Sequence, residues 1–414
     1  MLLLADEING YLNSINHTYN KRSKKTTIFD GIIYKLLYGM NDTSQQLTAN
    51  NINAFMGRTS TTTKISRQGY VDRENLLDIA VYKKIYSIIN DFSNKHFFNN
   101  KIQQAYAVDG TQINLSKNLT KDGFNTTKNG DIVNGLVLGV YNVVHNYPIS
   151  LELVTNKDER MAFLDFIKNK NNYNGSIFIF DRGFVDSKLF KVLNNKNINY
   201  VCRLRENSLL LPKKSNDHIV HDQNGDRIRV IKYTINNNNY YLATNLYDSM
   251  EFSIDKLKDL YHKRWSIEEY FKYIKKNTKF DDMNERSKVS IMKTIYAQLI
   301  VSRIVHLLSI IKGVHPTCTN MIVNKTELTK GVYNKFLFHF IYRKKFSRGM
   351  IRKFLTIYAS YILSQKGRQF ERISIKPFTK WYVKRYLKNY LEVNKKKKIK
   401  EQLSKKDSSV NIIK

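Results

Sequence analysis

Cysteine is almost missing from this chain. Two residues, Cys202 and Cys318, lie far apart among 414. They offer no disulfide framework and no zinc-ligand spacing, and they suit a reducing compartment. Acid is scarce as well. Asp and Glu number 35 against 69 Lys and Arg, a formal net charge of +34. A surplus of that size repels itself unless an anionic partner offsets it, and nucleic acid does so with release of counterions. On charge alone, a ribosomal or chromatin-like binder is the rival reading. Long apolar runs are lacking too. Met1–Leu4 is too short for a signal core, and Asp6 and Glu7 follow at once. The longest run, Ile291 to Ile311, carries Lys293, Arg303 and His306. It reads as a buried amphipathic helix, so no membrane partner is expected. No internal repeat is visible.

What is present suffices for a sizeable core and two or three domains. Hydrophobic residues make up 42% of the chain, with 27 Tyr and 22 Phe. The first hundred residues read as mostly helical, with apolar-periodic segments at Ile28–Tyr38 and Leu76–Phe92. Between them, Thr48 is placed as the cap of a short helix through Phe55. Gly57 turns the chain, and Ser60 or Thr61 caps a second helix through Gln68. Arg58, Lys64 and Arg67 fall on or near that second helix, an arrangement compatible with a helix-turn-helix DNA reader or with a generic polar hairpin.

From Gln104 the pattern turns to strands. AYAVDG runs up to Asp109; residues 134–144 and 148–154 form a hairpin; SIFIF at 176–180 ends at Asp181; NYVCRL at 199–204 follows. Helices opened by Asp158 and by Asp186 or Ser187 separate the later strands. This order predicts an α/β fold, a ribonuclease-H-like mixed sheet covered by helices. A small β insertion is expected at about 205–245, with strands at Arg229–Ile235 and Tyr240–Thr244. The expected division is a helical region at 1–100 with a role in binding DNA ends and a core at 101–311. A basic helical region at 312–393 and a basic, disordered tail at 394–414 follow. Cations cluster at 343–345, at Arg348, Arg352 and Lys353, and at Lys380, Lys384 and Arg385. The KKKKIK run at 395–400 reads as a solvated tail, a DNA contact or a nuclear address.

Three carboxylates stand out. Asp109 in VDGT closes a hydrophobic strand beside a glycine. Asp181 in FDRGF ends a buried strand. Glu268 lies in YHKRWSIEEYFKYIK, residues 261–275, which reads as one helix. There Tyr261, Arg264, Glu268 and Lys275 are offset by three, four and seven residues and share a stripe. Each acid alone has a plain explanation, as a turn residue or a surface ion pair. Together, with no Cys/His cluster nearby, hard oxygen ligands suit magnesium or manganese rather than zinc. Two such ions suit an in-line phosphoryl displacement.

The Tyr-Arg-Glu-Lys spacing, VDGT, and IFDRGF followed by YVCRLREN resemble the IS4-type DDE transposases over roughly residues 104–311. The resemblance implies magnesium-dependent cleavage at transposon inverted-repeat ends and strand transfer into target DNA. It assigns Asp109, Asp181 and Glu268 as catalytic metal ligands, and Tyr261, Arg264 and Lys275 as contacts to end-DNA phosphates. It also implies a homodimer on double-stranded DNA, inside the cell with that DNA, in a bacterial cytoplasm or nucleoid or in a nucleus. Glu269 is a rival to Glu268, about 100° round the helix and off the spacing. Trp265 is either a base-stacking surface or core. The alternatives are a decayed or domesticated DNA-binding relative, and a structure-selective nuclease of the same fold.

Overall fold

The computed structural model describes residues 1–364, apart from 20–24, 41–42, 99–101, 127–132, 156–157, 169, 171, 212–214 and 223–224. The expected tail at 394–414 and the Lys380, Lys384 and Arg385 cluster lie outside the described residues. So does the end of the basic helical region, beyond residue 364.

Five helices open the chain: α1 (Leu2–Tyr19), α2 (Ile28–Tyr38), α3 (Gln45–Met56), α4 (Arg67–Asn75) and α5 (Ile79–His96). Thr27 and Asp30 form a reciprocal capping box at the start of α2. The caps expected further on move. Ser44, not Thr48, caps α3; Ser66, not Ser60 or Thr61, caps α4. Residues 57–66 form the connecting loop instead. Asn53 fixes that loop by bonding both the N–H and the C=O of Ile65. Arg58 does not face outward to DNA. It pairs at 2.9 Å with Asp30, which is fully buried.

The core follows as β1 (Ala105–Leu115), β2 (Val133–Asn142), β3 (Tyr147–Val154), α6 (Glu159–Lys168), β4 (Ile177–Phe180), α7 (Ser187–Asn195) and β5 (Asn199–Arg203). Asp158 caps α6 and Asp186 caps α7, as the sequence suggests. The sheet order is β3-β2-β1-β4-β5, with β2 antiparallel to its neighbours and β4 and β5 parallel to β1. That is the ribonuclease-H-like arrangement. The insertion supplies β6 (Asp217–His221), β7 (Arg227–Ile235) and β8 (Asn238–Thr244). These do not form a separate unit. They extend the same sheet beyond β5 in the order β8-β7-β6, all antiparallel. The β7–β8 turn uses Asn236 and Asn237 at φ 49° and 64°, where asparagine tolerates the left-handed region.

Next come α8 (Ile254–His262), α9 (Trp265–Asn277), the two-residue β9 (Asp282–Met283) and α10 (Lys288–Lys312). The chain continues through β10 (Met321–Val323), α11 (Lys325–Gly331), α12 (Leu337–Tyr342), α13 (Arg348–Tyr358) and β11 (Tyr361–Leu363). α10 is long and apolar enough to cross a membrane, but most of its apolar window is buried inside the fold. It is not amphipathic in the sense expected. Lys293 and Arg303 are buried with the rest, Lys293 against Glu74 and Arg303 against Asn90. The two ends of the described chain also meet. The Tyr342 hydroxyl of α12 donates to Asp30 of α2 at 2.6 Å.

Alternation along β1 sends successive side chains to opposite faces. Ala105 and Ala107 join the apolar cluster that holds α9 and α10, while Tyr106 and Val108 join the cluster of α6 and α7. α9 sits directly on β2. A Cβ at Gly139 would lie 2.7 Å from Phe271 Cζ and 3.1 Å from Ile267 Cδ1. Gly139 is also the residue opposite Asp109 in the β1–β2 ladder. Gly139→Ala should therefore lift α9 and cost about 1–3 kcal/mol. Thermal unfolding measures the cost, and wild-type stability would show that α9 has slack on the sheet.

Candidate active site

Strand register brings the first two acids together. β1 and β4 pair as Ala107↔Ile179. Asp109 lies two residues beyond that pairing on β1, and Asp181 lies two residues beyond it just past the end of β4, so both acids leave the same end of neighbouring strands. Asp109 does not close its strand as expected, because β1 runs on to Leu115. β4 is the strand that stops. Asp181 follows it immediately and starts a short 3-10 turn, Arg182–Phe184. β1 pairs with β4 only at 105–107 and with β9 only at 114–115. Between these pairings its edge has no strand partner among the described residues. The sheet therefore has a notch, with Asp109 on one side and Asp181 on the other.

The third acid comes from α9. The stretch expected as one helix is bent between α8 and α9. Arg264 N–H donates to Tyr261 O and Ile267 N–H to Arg264 O, at 3.0 and 3.2 Å, three residues back rather than four. The tightened turn keeps Tyr261, Arg264 and Glu268 converging on the notch. The Arg264 guanidinium bridges two of the acids, 2.6 Å from Glu268 Oε1 and 3.7 Å from Asp109 Oδ2. The Tyr261 hydroxyl donates to Asp181 Oδ1 at 3.5 Å. Lys275 stands apart, seven residues or about 10 Å further along α9. It donates to Gln112 O at 2.9 Å and pairs with Asp281 at 2.6 Å, at the far end of the notch. Glu269 points elsewhere, its charge acting on Tyr141 and Lys325. Trp265 is 47% exposed beside Arg264, so it is not core.

The electrostatics are tense. Burial pushes the Asp109 carboxyl up to about 7; Arg264 opposes this, while Glu159 and Glu268 add to it. Burial likewise raises the Tyr261 hydroxyl. Burial works against the Arg264 cation, yet Tyr261, Glu268 and Asp181 outweigh it and raise its pKa. Glu159, on the first turn of α6, does not stand out in the sequence. Its own carboxyl is raised by burial and then by Asp181 and Asp158. The sequence signal is faint, since a first-turn glutamate ordinarily answers the helix dipole.

Among the described residues, no three His, Cys, Asp or Glu side chains converge closely enough to hold a metal as they stand. The guanidinium of Arg264 lies between Asp109 and Glu268 in this arrangement. The donor set itself fits a hard divalent cation. It is all carboxylate, and a cation would offset the burial, and then the neighbouring acids, that raise Asp109.

A family model described as a transposase DDE domain matches residues 100–304. The match spans β1 to α10 and includes every residue of the notch. The chain also resembles a protein named as a putative transposase for insertion sequence element IS4SA in Synechocystis sp. The two are 25% identical over 243 residues, 57% of this chain and 69% of the relative. Residues 100–304 thus form a transposase DDE domain, and the chain resembles the IS4-type transposases. It is a DNA transposase, an enzyme of DNA cleavage and strand transfer, and its family works with divalent metal ions. Among solved structures, a piggyBac transposase synaptic complex with hairpin DNA aligns with a TM-score of 0.44 and 10% identity. That alignment covers 92% of this chain and 85% of that one.

The bridge gives a direct prediction for this transposase. Arg264→Met should destabilise the metal-free protein by about 3 kcal/mol, because two part-buried carboxylates lose their counter-ion. The same change should enlarge the rise in Tm on adding magnesium. Unfolding scans with and without the ion check both. A variant with wild-type stability and an unchanged magnesium response would remove Arg264 from the charge balance.

Proposed function

We propose that this transposase cuts at the ends of its inverted repeats and joins the freed 3′ ends to target DNA, with Asp109, Asp181 and Glu268 as its metal-holding acids. The observation that carries this reading is the shared notch: two acids at the same end of neighbouring strands, and a third on the helix packed over the sheet, tied to the first by Arg264. Two magnesium or manganese ions bound there would activate the attacking water or 3′-hydroxyl and offset charge on the departing 3′-oxygen. The chain's own groups do the remaining work. Tyr261 holds Asp181 through its hydroxyl. Arg264 is the internal counter-ion and, released by incoming DNA, turns its planar fork to a phosphate. Lys275, at the edge of the sheet, meets the backbone further along the strand.

The substrate is double-stranded DNA, and the working species is a homodimer that holds two ends. The protein acts where that DNA is, in a bacterial cytoplasm or nucleoid, or in a nucleus. Three changes test the acids: Asp109→Asn, Asp181→Asn and Glu268→Gln. Each should reduce cleavage of a repeat-bearing duplex to the level seen with EDTA while binding stays within a few-fold of wild type. Normal cutting by any one variant would remove that residue from the site. Binding without cutting by the wild type would favour a decayed or domesticated relative. Cutting that ignores the repeat would favour a structure-selective nuclease.

Lys275 has its own measurement. Lys275→Ala should weaken end binding and lower the slope of log K against log salt by about one unit, as for one lost phosphate contact. An unchanged slope would leave Lys275 as a structural tie between Gln112 and Asp281.

A further inference from the structure

The strand edge at the notch presents side chains to both faces of the sheet. Asp109 and Glu268 approach from the side of α9. Gly110, one residue on, faces the side of α6. The Glu159 carboxylate lies against that glycine, so that a Cβ at Gly110 would overlap it. Its position beside Asp109 and Asp181 makes it a fourth negative charge at the notch.

Two nearby cations are committed elsewhere. Arg160, the next residue, pairs with Asp158 at 3.4 Å and Asp186 at 3.7 Å. Arg264 bridges Glu268 and Asp109 on the other face. The Glu159 side chain makes no hydrogen bond or ion pair among the described residues. It is half-buried, and with Asp158, Arg160 and Gly183 it lines an open hollow of about 380 Å³. Gly183 is two residues from Asp181, so the hollow adjoins the turn that carries the second acid.

We propose that Glu159 is a further carboxylate ligand of the divalent-cation centre, reaching the notch from the face of the sheet opposite Glu268. This assignment rests on the reading of Asp109 and Asp181 as metal-holding acids. Charge and access support it. An acid beside other acids, with no cation of its own, persists where a mobile cation arrives to pair with it. The hollow gives a hydrated ion a route to it that Arg264 does not obstruct. The same contact accounts for glycine at position 110, since any side chain there would displace the carboxylate from the strand edge.

The deciding experiment takes the full chain without DNA, with manganese as the probe. Calorimetry compares the wild type, Glu159→Gln and Asp109→Asn, and unfolding scans are run metal-free. Glu159→Gln should bind manganese at least about tenfold more weakly, a loss typical even of groups one step removed from a metal. Its metal-free Tm should equal or exceed wild type, because a repulsive charge is gone. Its cleavage of repeat DNA should fall and recover in part as manganese is raised. Wild-type manganese affinity and cleavage in Glu159→Gln would overturn the proposal. So would a lower metal-free Tm with unchanged affinity, the mark of a purely structural acid. If the wild type binds no manganese and Asp109→Asn cuts normally, the reading of the acids falls together with the proposal.

Discussion

The site depends on where β4 stops. Four residues, Ile177–Phe180, pair with β1 and β5, and then the chain leaves the sheet. Had the strand continued, its backbone would have filled the edge beside residues 108–113 of β1. Two contacts fix the exit. Phe184, buried at the end of the 3-10 turn, packs 5.2 Å from Phe180 in the cluster beneath α6. The Cys202 thiol of β5 donates to the Asp181 carbonyl, at 3.5 Å. An aromatic anchor three residues after the acid thus holds the chain off the sheet. The arginine and the glycine of FDRGF lie at the exposed rim of that turn. The short strand, its acid and its turn form one device that opens the notch.

A net charge of +34 overstates how much of the surface is basic. Lys35, Arg73, Arg229, Arg264, Lys293 and Arg303 are all buried. Most of them hold parts of the fold together. Arg73 ties α4 to Tyr19 and Thr26 through backbone and hydroxyl acceptors. Arg229 links β7 to Asp217 and to the carbonyls of Leu246 and Phe252, so it joins the insertion to the segment before α8. Arg303 lies 3.4 Å from the centre of the Tyr147 ring, with no carboxylate beside it, and its pKa falls to about 10 through burial. Guanidinium suits such positions because it is more weakly hydrated than ammonium and has a fixed fork of donors. The inference from charge to nucleic acid survives, but part of the charge is mortar.

Element order is legible in the sequence because it rests on local pattern, and the same pattern singles out the three acids as candidates. SIFIF followed by DRGF reads as strand then turn, and β2–β3 as a hairpin, from a few neighbouring residues. What is not legible depends on distant residues. Nothing within 45–68 says that Asn53 will bond Ile65 and turn a supposed helix start into a loop. Nothing near Arg58 announces the buried Asp30. Ending β1 at Asp109 follows its polarity, yet pairing with β2 and β9 carries the strand six residues further. Glu159 is hidden for a related reason. Its meaning comes from Gly110, far earlier in the chain, and from a strand gap that no window of sequence contains.

Arg264 shows how such a site stays folded before its substrate arrives. Carboxylates gathered for catalysis repel one another, and burial magnifies the repulsion. A buried guanidinium between Asp109 and Glu268 relieves it, and Tyr261 on Asp181 adds a weaker hold. The same bridge occupies the space between those two acids. On the function proposed above, DNA phosphate would compete for the guanidinium while a divalent ion competed for the acids, and each would make the other easier. Metal binding and DNA binding would then be coupled through one side chain, and coupling of that kind is reciprocal. The Arg264 Nε–H is buried with no partner in the resting arrangement, so the side chain leaves one hydrogen-bonding group unmet while it serves as the bridge. That unmet donor favours release, since a phosphate approaching the edge of the guanidinium can accept from it.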